Sequence, residues 1–550
     1  MIKILLRSLI MKKTKFIFTT GGVLSGLGKG VTAASMGNLL KAQGFNIFVL
    51  KLDPYLNIDP GVMNPMEHGE VYVTSDGGET DLDLGHYERF IDVKLTKESN
   101  FTTGRIFTRI FEKERKGEYG GKTVQIVPHV IDEIIDIIVS LAKNKQPDFM
   151  LIEIGGTVGD LESNPYIYAI SKFASLYKKQ TMFAHLAFVP FLTASKEYKS
   201  KPSQVSIASL RSFGINPNLL LLRSQGDVDL SIIKKISENA FLKPENVINI
   251  PDKANIYEIP LFLEKSGIIE IIFKHFNIKK PIIQNANNEW NEFIKKYLSK
   301  RQKPVNLLLV GKYTGLEDAY LSIVSSLKIA AAHLNVELNY ELVDSEQITD
   351  KNIETMFSNI DGVMILPGFG VRGFYSKVDV AEYTRKNLIP TLGICLGFQA
   401  MAIAQARRLG IKNPTSKEFA DKKVKQNFVL TPFYENGDTM KLGGTLRLGE
   451  DKIIALPNSL AQKIYGQEMF YERHRHRYEI ADKYRHSLED EEFIFSGIHP
   501  ELKVAEICEV KNHPFYVGVQ YHPEFTTRVL KSNPLFNEFL NATWLNKSSK

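Results

Sequence analysis

Between Thr19 and Ser35 the chain reads TTGGVLSGLGKGVTAAS, a glycine density that the interior of a helix or strand does not tolerate. Before it lies the apolar run Lys15–Phe18, and after it the helix-forming stretch Ala33–Gln43, so the segment reads as strand, turn and helix. In that setting Gly21, Gly22, Gly26, Gly28 and Gly30 let backbone N–H groups turn toward an anion. The helix N-terminus adds its positive end, and Lys29 offers a charge to a terminal phosphate. The pattern departs from a strict Walker A loop: five residues separate Gly22 from Gly28, and Gly30 stands where the metal-binding Ser or Thr follows the lysine. Ser25, Thr32 or acids from elsewhere then have to complete a metal site. A glycine-rich turn with a solvated lysine is the plainer alternative; the flanking strand and helix favour a nucleotide site.

At 550 residues the chain is too long for one core, and at about 150 residues per domain it should form two to four. Apolar strands alternate with helical patterns from Phe16 to about Ile272, at Phe45–Leu52, Phe149–Ile154, Ala184–Pro190 and Leu219–Leu222. Their continuous apolar character implies a sheet covered on both faces. The stretch Phe273–Pro304 turns polar, and a second series follows at Val305–Tyr313, Gly362–Gly368 and Thr391–Gly397. The expected fold is α/β, with two doubly wound, mostly parallel-sheet domains, the first P-loop-like. The expected boundaries are a leader over 1–14, the first domain over 15–275, a linker over 276–303 and the second domain over 304–550. The leader Met1–Ile10 has a short apolar core broken by Arg7 and no small-residue cleavage site. With Met11 next in line, it reads as dispensable.

A net charge of +7 without a basic block or an aromatic-interleaved stripe argues against a nucleic-acid groove. Two cysteines, Cys395 and Cys508, make no disulfide framework and suit a reducing compartment. No apolar run reaches the roughly 18 to 20 residues of a membrane helix. A cytoplasmic protein is expected.

A second chemical centre lies at Gly393–Gln399, GICLGFQ, at the end of a strand and the start of a helix. It has the form of a nucleophile elbow with cysteine in place of serine. Flanking glycines keep side chains away from the strained nucleophile, and the helix N-terminus favours a thiolate at Cys395. Tyr521–Phe525, YHPEF, offers a base. At a spacing of two on an extended segment, Glu524 can orient and charge-stabilise His522. A buried structural cysteine and an incidental His-Pro-Glu are the bland alternatives for either piece alone; together they point to a Cys, His, Glu triad.

GICLGFQ followed by HPE resembles the signature of class I glutamine amidotransferases, and the chain from about Lys15 to Phe525 resembles the CTP synthase family. The matching segments are GGVLSGLGKG, KLDPYLNIDPG (Lys51–Gly61), DLDLGHYERF (Asp81–Phe90), NFTTGRI (Asn100–Ile106), EIGGTVGDLE (Glu153–Glu162), KSKPSQ (Lys199–Gln204) and ERHRHRYE (Glu472–Glu479). The resemblance implies a carbon–nitrogen ligase with glutamine as amido donor: ATP phosphorylates O4 of UTP, and ammonia displaces the phosphate to give CTP. It implies that the loop from Ser25 through Gly26, Leu27, Gly28, Lys29, Gly30 and Val31 wraps the ATP phosphates, with Ser25 also meeting the pyrimidine nucleotide. Lys29 and Lys51 would stabilise the transferred phosphoryl group, and Asp83 with Glu153 would hold Mg²⁺. Independently of the family, two hard carboxylates in or beside glycine-rich turns suit an oxygen-ligated ion that bridges phosphates.

By the same resemblance Asp160, Leu161 and Glu162 face the UTP or CTP base and sugar. Lys199, Ser200, Lys201, Pro202, Ser203, Gln204 and Lys235 meet its phosphates, where a solvated turn is otherwise the simpler reading. Arg223, Pro251, Asp252 and Lys253 correspond to the ATP adenine and ribose neighbourhood. Phe369, Gln399, Glu418 and Arg477 hold the amino-acid end of glutamine, with Gly397 and Phe398 beside them, and Arg477 as the fork that matches a carboxylate. The N–H groups of Gly368 and Leu396 form the oxyanion hole. The chain departs from the family's PGGFG with LPGFG, Leu366–Gly370. Pro367 removes one N–H and restricts Leu366; nothing is lost if the hole uses Gly368 alone, whereas a loop that must flip would be altered.

The resemblance further implies an ammonia passage along Pro65–Val71, with Pro65, His68 and Val71 lining it and a surface or core histidine as the alternative for His68. It implies GTP as activator, CTP as feedback inhibitor, a homotetramer built as a dimer of dimers, and no nucleic-acid or membrane partner. Two competing readings are a dethiobiotin-synthetase-like ligase fused to a glutaminase, and a deviant-loop ATPase that binds a partner or membrane through Pro534–Leu545 as an amphipathic anchor.

Overall fold

A computed structural model describes residues 13–24, 26–421, 423–433 and 446–549. The leader Met1–Ile10 and Ser25 lie outside the described residues. The chain divides into two compact units: Asp83–Asn291 with the residues up to Pro60, and Gly61–Leu82 with the residues from Glu292 onward. The division between halves is therefore not a single cut, because a segment from within the first half belongs to the second unit.

The first unit is built on seven strands: β1 (Lys15–Gly21), β2 (Ile47–Asp53), β3 (Asn100–Thr102), β4 (Phe149–Ile154), β5 (Thr181–Phe188), β6 (Leu219–Ser224) and β7 (Val247–Pro251). They pair in the order β7-β6-β5-β1-β4-β2-β3, all parallel. Consecutive residues Phe16, Ile17 and Phe18 are all fully buried, as a strand covered on both faces requires. Phe173 closes one face edge-on against Phe16 and Phe18. The helices that matter for chemistry are α1 (Lys29–Ala42), α2 (Asp83–Ile91), α3 (Lys201–Ser212) and α4 (Leu230–Ala240). Parallel register sets Lys51 of β2 opposite Glu153 of β4 at the carboxyl edge of the sheet, where open α/β sheets bind ligands.

The second unit has a nine-stranded sheet: β8 (Lys303–Gly311), β9 (Val336–Asp344), β10 (Gly362–Ile365), β11 (Thr391–Ile394), β12 (Arg447–Ala455), β13 (Met469–His476), β14 (Phe493–Ile498), β15 (Ala505–Val510) and β16 (Tyr516–Val519). The order is β9-β8-β10-β11-β16-β15-β14-β12-β13. The first five are mutually parallel; from β16 onward the pairs are antiparallel. Its helices include α5 (Leu321–Leu334), α6 (Phe374–Lys386), α7 (Leu396–Arg408) and α8 (Pro534–Ser548).

The amphipathic-anchor alternative for the C-terminal helix does not hold. Leu535, Phe536, Phe539 and Leu540 of α8 are buried in the unit's own core with Leu307 and Leu327, so its apolar face is already covered. Among the described residues no helix is long and apolar enough to cross a membrane.

Candidate active sites

The glycine loop leaves β1 at Gly21 and enters α1 at Lys29, a turn earlier than the expected Ala33. Gly28 caps the helix in the left-handed region (φ 81°), and Gly26 also has positive φ (73°), conformations that a Cβ strains. The Lys29 ammonium donates to the Gly156 carbonyl at 2.6 Å, and burial lowers its pKa. A Cβ on Gly30 would overlap the Asp83 carboxylate, so an acid fills the place where a Walker loop carries its hydroxyl.

Lys51 is the hub of this site. Its ammonium lies 2.5 Å from Asp83 Oδ2 and 3.4 Å from both Asp53 Oδ1 and Glu153 Oε1. The Tyr87 hydroxyl donates to the other Glu153 oxygen. Burial pushes Asp53 and Glu153 up; Asp83, which burial would also raise, is instead held down by Lys51. Among the described residues no group of three or more His, Cys, Asp or Glu side chains is arranged to hold a metal by itself. A buried and a half-buried carboxylate that need further ligands fit an ion shared with phosphates, as Mg²⁺ is.

Asp160, Leu161 and Glu162 are exposed in the turn that follows Gly156 and Gly159, both at positive φ. Lys201, Pro202, Ser203 and Gln204 form the first turn of α3, with Pro202 at a position that lacks an intrahelical partner anyway. Ser203 donates to the Phe188 carbonyl at 2.7 Å, Gln204 reaches Ser200 Oγ at 3.3 Å, and Lys199 pairs with Glu197 at 2.5 Å. Lys235 is exposed on α4, which packs on α3. At the ends of β6 and β7, Arg223 binds Asp252 at 2.8 Å beside Pro251, and the Lys253 ammonium lies 5.0 Å over the Phe262 ring.

In the second unit Cys395 links β11 to α7 at φ 52°, ψ −100°. This strained turn is possible because the residues two places away on each side are glycines: a Cβ on Gly393 would meet Met401 and Gly397, and one on Gly397 would strike the Ile365 carbonyl. The thiol is buried, donates toward the Arg475 carbonyl at 3.7 Å, and receives the Gln520 amide at 3.7 Å. His522 Nδ1 lies 2.7 Å from Glu524 Oε1. Burial opposes charge on His522, but Glu524 and then Cys395 push its pKa up to about 10. The segment is not extended as expected. Pro523–Phe525 is a 3₁₀ turn with proline in its first position, and the turn, rather than strand alternation, brings the two side chains together.

Among the described residues, Leu366–Gly370 leaves one backbone donor open. Leu366 N–H bonds Val310 O at 3.0 Å, Phe369 N–H bonds the Tyr313 hydroxyl at 3.3 Å, and Gly370 N–H bonds Glu418 Oε1 at 3.1 Å. Pro367 has no N–H. Among the described residues the Gly368 N–H has no acceptor, and Leu396, first in α7, has none within its helix. The carbonyls are held from outside: Leu366 by Lys377, Pro367 by the Tyr320 hydroxyl at 3.2 Å, and Phe369 and Gly370 by Lys312.

Of the residues expected to hold glutamine, Gly397 and Phe398 sit in the first turn of α7. The Phe398 side chain lies in the core, so only its backbone is free to serve. Gln399 is buried and donates to Tyr478 O at 2.7 Å and Gln520 Oε1 at 3.2 Å. Burial raises Glu418, with Arg477 among the charges that oppose the rise. The Phe369 ring stacks under the Arg475 guanidinium, 5.0 Å from its centroid.

A cavity of about 60 Å³ joins Cys395, His522 and Gly368 to Pro65, Glu70 and Val71. Glu70 fixes this segment by accepting from the Ser322 N–H at 2.8 Å, and Tyr72 by donating to Phe525 O at 3.1 Å. His68 is exposed and does not line the cavity. In this unit sequence reasoning missed Lys312, Tyr313, Tyr320, Lys377, Arg475 and Gln520, and of these Arg475 had a readable signal, since alternation along RHRHR sets it on the same face as Arg477; in the first unit it missed Asp53 and Tyr87.

The family model described as CTP synthase N-terminus matches residues 15–278, and that described as glutamine amidotransferase class-I matches residues 316–542. The CTP synthase of Mycoplasmopsis pulmonis is 55% identical over 529 residues, covering 96% of this chain and 98% of its own. That of Mesoplasma florum is 44% identical, covering 97% of this chain and 100% of its own. Among solved structures, the glutaminase domain of Trypanosoma brucei CTPS with bound acivicin is 30% identical and covers 44% of this chain and 93% of that one, with a TM-score of 0.40. With both family models matched in order and identity sustained along nearly the whole length, the chain belongs to the CTP synthase family.

Proposed function

We propose that this chain aminates UTP to CTP, with ATP as phosphoryl donor and glutamine as nitrogen donor, through two centres. The carrying observation is the strained Cys395 between two obligatory glycines, backed by the His522–Glu524 pair. Cys395 Sγ attacks the side-chain amide carbon of glutamine, and the oxyanion meets the N–H groups of Gly368 and Leu396. His522 passes its proton to the departing nitrogen as the C–N bond breaks. Water then cleaves the thioester, with His522 taking up the water's proton.

At the other centre the γ-phosphoryl of ATP moves to O4 of UTP; ammonia adds at C4 and phosphate leaves, so the products are CTP, ADP and phosphate. Gly26, Leu27, Gly28 and Val31 wrap the ATP phosphates, Lys29 and Lys51 neutralise the moving phosphoryl group, and positioning carries most of the rate. Asp83 and Glu153 are the residues that would hold Mg²⁺, which when bound spreads the phosphate charge. Asp160–Glu162, Lys199–Gln204 and Lys235 take the pyrimidine nucleotide, and Arg223, Pro251, Asp252 and Lys253 take the adenosine of ATP. Glu418 and Arg477, beside Phe369 and Gln399, take the amino-acid end of glutamine. Family membership supports GTP activation, CTP inhibition and a cytoplasmic homotetramer as parts of the same reading, and the cavity beside Val71 is where an ammonia passage would start. The ligase-fusion alternative has no support in the match of the first half to the CTP synthase N-terminus.

One incubation with ATP, UTP, Mg²⁺ and glutamine, resolved by chromatography, tests the assignment. CTP formation is expected; its absence, with ammonia also failing to support synthesis, overturns it.

A further inference from the structure

Two buried groups outside the triad converge on the oxyanion loop. Tyr320, 2% exposed, donates its hydroxyl proton to the Pro367 carbonyl while accepting from the Lys312 N–H at 2.9 Å. Lys377, on α6, is fully buried and donates to the Leu366 carbonyl. Among the described residues no carboxylate lies within ion-pair distance of Lys377, and burial pulls its pKa well below the usual lysine range. Keeping an amine at this depth costs free energy, and what it secures here is the Leu366 carbonyl.

The geometry of a planar trans peptide gives this arrangement a purpose. In such a unit the C=O and the following N–H point in opposite directions. Holding the Pro367 carbonyl on Tyr320 therefore aims the Gly368 N–H the other way, and Gly368 borders the cavity that contains Cys395. The proline ring fixes φ at 367, so with the preceding peptide held through its carbonyl by Lys377 only ψ at 367 is left to turn, and the Tyr320 contact sets it. We propose that Tyr320 and Lys377 are positioning residues that clamp two successive carbonyls so that the one open N–H of the loop meets the oxyanion formed at Cys395. The proposal rests on Cys395 being the glutaminase nucleophile.

The test compares Tyr320→Phe and Lys377→Met, each close to the native volume, with the wild-type enzyme. In both, kcat for glutamine hydrolysis should fall about tenfold or more, approaching the loss seen when an oxyanion donor is removed, while KM for glutamine stays within about twofold. In Tyr320→Phe, alkylation of Cys395 by iodoacetamide, which forms no oxyanion, should keep its wild-type rate when followed by peptide mass mapping. Cooperative melting of both variants checks that each is folded. Unchanged kcat in both folded variants overturns the clamp, as does alkylation slowed in parallel with hydrolysis, which would place the effect on the thiol. If Lys377→Met does not fold, Tyr320→Phe alone decides. Absence of glutamine hydrolysis in the wild type would instead remove the assignment of Cys395 on which the clamp rests.

Discussion

The carboxylate of Asp83 stands against the Cα of Gly30, in the space that a side chain at that position would fill. Asp83 also holds Lys51, which faces Glu153 across two paired strands. The missing hydroxyl of the glycine loop and the half-buried acid are thus one feature: a carboxylate from α2 occupies the space that the loop's own ligand would take. Gly30→Ala should displace Asp83 and lower CTP synthesis about 100-fold with either glutamine or ammonia, since misplacement by about 1 Å costs that much. Glutamine hydrolysis measured alone should stay within about twofold of wild type. Synthesis that survives the substitution would show that Asp83 does not act from this position.

Cys395→Ala separates the two centres. Glutamine-dependent CTP formation should be abolished while synthesis from added ammonia persists, whereas Lys29→Ala should lose both. A folded Cys395→Ala protein that also failed with ammonia would refute the division of labour.

Glu524 is the main support for charge on His522, whose pKa is pushed up to about 10 against the cost of burial. The folded value lies above the roughly 6.5 of an unfolded histidine. The pair's contribution to stability is therefore complete below about pH 6.5 and is lost as pH rises toward 10. Glu524→Gln should move the alkaline limb of glutaminase kcat/KM downward by about one unit or more. Its deficit in melting temperature should be largest below pH 6.5 and should shrink toward pH 10. An alkaline limb at the wild-type position would mean that Glu524 does not set the charge of His522.

How much of this was readable follows from what kind of contact carries each role. Cys395 was legible because its requirement is local: Gly393 and Gly397 have no room for a Cβ, and the sequence displays both. Lys51 and Glu153 could be named one by one, but their meeting depends on parallel pairing between strands distant in sequence, which spacing does not encode. Tyr320 and Lys377 were illegible because they act on backbone carbonyls, and a carbonyl leaves no mark in the residue types around it. The place of Gly61–Leu82 in the second unit was hidden for a related reason. Composition reveals a boundary where its character changes, and this segment resembles its neighbours. At His522 the expectation had the right partner and the wrong backbone, because Pro523 favours a tight turn over a strand.

Val71 is buried, and its side chain lines the cavity that contains Cys395 and His522. Ammonia released there is a nucleophile only while unprotonated, and in bulk water at neutral pH it takes up a proton, so a route that excludes water preserves it. A cavity of about 60 Å³ admits ammonia or a water molecule or two, but not a further aromatic ring. Val71→Phe should obstruct the space, leaving ammonia-fed synthesis and glutamine hydrolysis within about twofold of wild type. The CTP formed per glutamine hydrolysed should fall to about half or less as ammonia escapes to solvent. His68→Ala is the control: the histidine is exposed and outside the lining, so its ratio should stay at the wild-type value. A wild-type ratio in Val71→Phe would show that ammonia leaves Cys395 by another way, and a loss confined to His68→Ala would place the route along the exposed face of Pro65–His68.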